Sequence, residues 1–65
     1  DPKVREGLIQ SINYQDSPLV QSALADLMLS IQEKKSVRSF QKLLKKPETN
    51  EAIKTKIKET IHQLS

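Results

Sequence analysis

The side chains able to serve as acid, base, nucleophile or metal ligand are few and scattered. There is one histidine, His62, and no cysteine, which excludes disulfides, thiol chemistry and cysteine zinc sites. His62 falls opposite an Ile53, Ile57, Ile61 stripe, with no second His in the chain. It reads as a solvent-facing side chain. The eight carboxylates are dispersed, with no pair set to share a buried site, so general acid–base catalysis lacks a candidate. Gly7 stands alone rather than in a phosphate-cradling loop; its expected role is to let two helices approach closely. Met28 falls among apolar neighbours and reads as packing. These residues predict a chain that is not an enzyme and has no cofactor and no metal.

Charge is the feature that remains. Residues 1–33 hold two Lys/Arg against five Asp/Glu, a net −3, and residues 34–65 hold nine against three, a net +6. Arg38, Lys42, Lys45 and Lys46 share one arc of a helical projection, a basic surface able to meet phosphates or an acidic protein. Few aromatics and few arginines accompany it, so any nucleic-acid contact there is expected to be electrostatic and nonspecific.

The elements that carry these residues follow from spacing. Apolar residues three and four apart, one Gly and three Pro predict an all-α chain of four helices, roughly 2–13, 18–33, 36–46 and 50–64. Asp1 before Pro2 and Ser17 before Pro18 read as helix starts, a capping side chain ahead of a proline that has no N–H to leave unpaired. The pairs Lys34, Lys35 and Lys45, Lys46 read as helix C-termini, and Pro47 as a stop. Loops this short fold consecutive helices back as antiparallel neighbours. The second helix presents Leu19, Val20, Ala23, Leu24, Leu27, Met28 and Ile31 over about half its circumference. The fourth shows a narrow Ile53, Ile57, Ile61, Leu64 stripe and reads as an outer helix. Val37, Phe40, Leu43 and Leu44 supply the third helix's core side, and Val4, Leu8, Ile9 and Ile12 the first's. Leu29 projects from the polar side of the second helix beside Ser22 and Asp26. With Tyr14 in the first loop, these are the candidate partner-binding residues. The longest apolar run is Leu27 to Leu29, too short to span a membrane, and the acidic start does not read as a signal peptide.

Shifting the second helix by 33 positions lays Val20, Leu24, Met28 and Ile31 on Ile53, Ile57, Ile61 and Leu64, which divides the chain into units 1–33 and 34–65. Asp1, Val4 and Arg5, then Asp16, Val20, Ala23 and Leu27, resemble the D-x-x-V-R-x-x-A-x-x-L signature of HEAT repeats, especially short bacterial ones. Gln21 stands where that pattern has Arg, and the period is shorter than the ~40–47 usual for HEAT. The resemblance implies an α-α superhelix of two antiparallel helical hairpins, a fragment of a longer protein acting as a noncatalytic protein–protein interaction scaffold. Its partner is then another protein or adjacent repeats of the same chain, with self-association through exposed ends. A looser similarity is to HEAT arrays that follow zinc-finger anti-sigma-type segments, which implies a purely structural repeat within a regulatory protein. The alternative is a nucleic-acid-associated module using the basic surface of the third and fourth helices. In the repeat frame Asp16 caps the second helix, and Arg5 seeks Asp1, Asp16 or Asp26.

Overall fold

The computed structural model describes residues 2–65, and the expectation placed on Asp1 lies outside them. Helix α1 spans Pro2–Ser11 and tightens into a 3-10 turn, Ile12–Tyr14. Helix α2 is Pro18–Ser30, a second 3-10 turn is Lys34–Ser36, α3 is Val37–Lys45 and α4 is Glu51–Leu64. The described residues are 81% helical with no strand. The four predicted helices are all present, in a compact globule with extents of 32 × 22 × 17 Å.

Local chemistry explains the boundaries. Ser17 Oγ accepts from Val20 N at 3.4 Å, with Pro18 as the first helical residue; Asp16 is exposed and does not act as the cap. Asn50 Oδ1 accepts from Ala52 N at 2.7 Å and Ile53 N at 3.4 Å, starting α4. Helix α2 ends three residues before its predicted limit. Gln32 adopts φ 55, its N–H bonds Leu29 O at 3.1 Å, and Glu33 N–H bonds Met28 O at 2.9 Å. That pair of bonds closes the helix in the Schellman manner, a left-handed position that glycine normally fills. Lys34 and Lys35 consequently belong to the turn that leads into α3, rather than to the end of α2.

The core is Ile12, Leu24, Ala25, Met28, Phe40, Leu43, Ile53, Ile57 and Leu64. Each large side chain withdrawn from water contributes about 1.5–3 kcal/mol, a modest sum against the chain entropy of a small domain. Helix α4 lies against both α2 and α3. It is the central helix and not an outer one, because Thr60 joins Ile53, Ile57 and Leu64 in the interior with its hydroxyl donating to Lys56 O at 2.9 Å. Helix α1 is the peripheral one and has no buried residue. A Cβ placed on Gly7 meets nothing within 4 Å, so Gly7 does not mediate the expected close approach.

The inward face of α2 differs from the sequence expectation. Gln21, Leu24, Ala25 and Met28 are buried, whereas Leu19, Val20, Ala23 and Leu27 are exposed. The helix is turned by about a quarter revolution from the arc of greatest hydrophobicity. Gln21 tolerates burial because its side-chain amide donates to Gln15 O at 2.7 Å, which removes the cost of an unpaired buried polar group. Ala25 is fully buried and small, and α4 runs along that side of the helix.

Candidate interaction surfaces

The α2 residues singled out for partner binding divide. Ser22 Oγ accepts from Lys56 Nζ at 2.7 Å, and Asp26 Oδ1 pairs with the same ammonium at 2.9 Å. Leu29 is half-buried and packs against the core. A small cleft of about 190 Å³ beside them is lined by Asp26, Leu29, Lys56, Glu59, Thr60 and Gln63. This edge of α2 therefore faces α4 of its own chain. Lys56, a residue of α4, ties the two helices together through these two contacts.

The outward side of α2 is apolar instead. Leu19 is 80% exposed, and Val20 and Leu27 are each 38% exposed; Ala23 is exposed between them. Val4 on α1 adds a further uncovered apolar side chain. Tyr14, 83% exposed, stands on the 3-10 turn that packs against α3. Asn13 fixes that turn: its Nδ2 donates to Ser39 O at 3.1 Å, and its own carbonyl accepts from Lys46 Nζ at 2.6 Å. The Asn13 carboxamide oxygen is buried without a partner among the described residues.

Arg5 finds Glu33 at 3.5 Å rather than Asp16 or Asp26. The Schellman turn delivers the Glu33 carboxylate to that point, where its Oε1 also accepts from Lys35 N at 3.2 Å. Arg5, Glu33, Pro2, Glu6, Ile9 and Lys35 line an open cleft of about 350 Å³. A larger cleft of about 750 Å³ lies between the loops that precede α2 and α4, with Asp16, Glu48 and Lys46 on its walls.

Of the predicted basic surface, Arg38, Lys42 and Lys45 are exposed on α3. Lys46 departs from it, half-buried with its ammonium held by the Asn13 carbonyl. Lys34 and Lys35 are exposed on the turn directly before α3 and add two cations next to its N-terminal end, Lys35 also lining the Arg5–Glu33 cleft. His62 is exposed in the last turn of α4. Among the described residues, no three His, Cys, Asp or Glu side chains gather as a metal site, and no helix is long and apolar enough to cross a membrane.

No protein-family model, curated protein or solved structure matches this chain.

Proposed function

We propose that the chain is a noncatalytic interaction scaffold of HEAT-like helical repeats, with α1 and α2 as one hairpin (unit 1–33) and α3 and α4 as the next (unit 34–65). Two features support this arrangement. The second helix of one unit packs on the second helix of the other, α2 on α4, and the turn that ends the first helix of unit one packs on α3, although α1 itself lies largely clear of α2 and does not form the closely packed antiparallel pair that the short loop predicts. Stacked hairpins share a continuous core in this manner, and the hairpin at the end of a stack keeps an apolar side open for the next.

The observation that carries the function is the outward α2 face, where Leu19, Val20, Ala23 and Leu27 lie at helical spacing in water. An apolar stripe on a single helix is the surface that a partner's groove or a neighbouring helix covers. The partner is a protein, or an adjacent repeat of the same polypeptide.

Affinity capture from the source lysate, with the chain as bait in high salt and with nuclease, tests the reading against a Leu19→Gln/Leu27→Gln variant. The scaffold reading expects a protein retained by the wild type and lost by a variant whose helicity is unchanged. Equal retention by both forms would remove the α2 face from consideration. Concentration-dependent self-association that the same variant abolishes would assign the face to stacking of repeats.

A further inference from the structure

The cations of this chain are not equivalent. Arg5, Lys54 and Lys56 are paired with the carboxylates of Glu33, Glu51 and Asp26, and Lys46 is held by a backbone carbonyl. Segment 34–46 contains six Lys/Arg and no Asp or Glu. Five of the six, Lys34, Lys35, Arg38, Lys42 and Lys45, are exposed with no side-chain partner among the described residues. Elsewhere among those residues only Lys58 is similarly unengaged.

Arg38 sits in the first turn of α3, behind Lys34 and Lys35, and that turn has no acidic residue. A helix N-terminus is the positive end of the dipole, where cations weaken the helix. The fold gains nothing from Arg38 there, and Lys34 and Lys35 stand in the turn between the end of α2 and the start of α3. On the outward side of α3 the row is accompanied by Gln41 and by no exposed apolar side chain. Protein interfaces depend on a buried apolar or aromatic anchor, and membrane-surface helices on apolar residues that enter the lipid. A narrow line of long, unpaired cations offers neither. What it offers is neutralisation of a linear polyanion.

We propose that the Lys34–Ser36 turn and α3 form a contact surface for the phosphate backbone of double-stranded nucleic acid, engaged without sequence readout. Lys34, Lys35, Arg38, Lys42 and Lys45 displace condensed counterions, and the absence of a base-reading element leaves affinity purely electrostatic. This goes beyond the scaffold reading and shares no residue with the α2 stripe, so Leu19→Gln/Leu27→Gln is expected to leave it unchanged.

The test is fluorescence anisotropy of a labelled 20-base-pair DNA duplex titrated with the full chain at several salt concentrations. Four to five phosphate contacts predict a dissociation constant on the order of 10⁻⁶ M at 50 mM salt, weakening about two to three orders of magnitude by 200 mM. Arg38→Gln, Lys42→Gln and Lys45→Gln are each expected to lower the slope of log affinity against log salt by about one. Removing all five cations should abolish binding, while thermal unfolding shows the fold retained. Lys58→Gln removes the same charge from α4 and should change nothing. Equal losses from Lys58→Gln and Arg38→Gln would overturn the proposal, because net charge and not this row would then be responsible. So would absence of duplex binding at 50 mM salt, and so would a row that bound phosphatidylserine vesicles or polyglutamate in preference to the duplex.

Discussion

Gln32 is where the backbone departs furthest from what its side chain prefers. At φ 55 it occupies the left-handed region, which costs an L residue roughly 1–2 kcal/mol relative to the right-handed one. The bonds it closes are good: Gln32 N–H to Leu29 O at 3.1 Å and Glu33 N–H to Met28 O at 2.9 Å. The side chain is exposed and makes no hydrogen bond in return. Gln32→Gly should keep both bonds and release the strain, offset by the greater freedom of glycine in the unfolded chain, about 0.4–1 kcal/mol. The net expectation is a gain of about 0.5–1 kcal/mol, which for a domain of this size raises the unfolding midpoint by about 2–8 °C. Thermal unfolding followed by circular dichroism measures it, with Gln32→Ala as the control. Alanine keeps the strain and should leave the midpoint nearly unchanged. A glycine variant no more stable than the wild type would show that the turn is not strained, and would undo the explanation given for where α2 ends.

Three further substitutions test other links. Gly7→Ala, at an interior position of α1 with nothing within 4 Å of the new methyl, should stabilise by about 0.5–1 kcal/mol in urea unfolding; a loss would mean that α1 has a close neighbour there. Asn50→Ala removes the cap that receives Ala52 N and Ile53 N and should cost about 1 kcal/mol by the same assay, with Asn50→Asp retaining the capping oxygen and most of the stability. Leu19→Glu places a carboxylate in the first turn of α2 on a side chain 80% exposed, where the helix dipole favours it by about 0.3–1 kcal/mol. Its unfolding midpoint should hold or rise while high-salt capture of a protein partner is lost, and a large fall in the midpoint would show that Leu19 packs.

The sequence revealed the helices far better than their relations. Four apolar-periodic segments, the Ser17-Pro18 start and the Pro47 interruption place the helices to within a few residues, because these signals act over one turn. The inward face of α2 was not legible. Its apolar arc is wider than the core can cover, and the choice is made by partners distant in sequence: α4, and the Gln15 carbonyl that satisfies Gln21. The end of α2 was missed because glutamine stands where glycine usually signals the left-handed residue. That turn in turn set the Arg5 partner, since it carries Glu33 into reach. On the basic surface, Arg38, Lys42 and Lys45 were legible from helical phase alone. Lys46 was not, because its phase says nothing about the Asn13 carbonyl delivered from the first turn.

Two surfaces stand out because local stability does not ask for them. Leucine and valine on the outer side of α2 gain nothing from water, and Arg38 at the positive end of α3 opposes its dipole. Elsewhere the chain resolves such conflicts internally: Lys56 answers Asp26 and Ser22, Arg5 answers Glu33, and Gln21 answers the Gln15 carbonyl. A small core leaves little margin, so residues retained against local preference are the places where activity and stability trade against each other. That trade gives a signature a purely structural surface lacks. Substitutions at Leu19 or Arg38 should hold or raise the unfolding midpoint while removing an interaction, each on its own surface and neither on the other's.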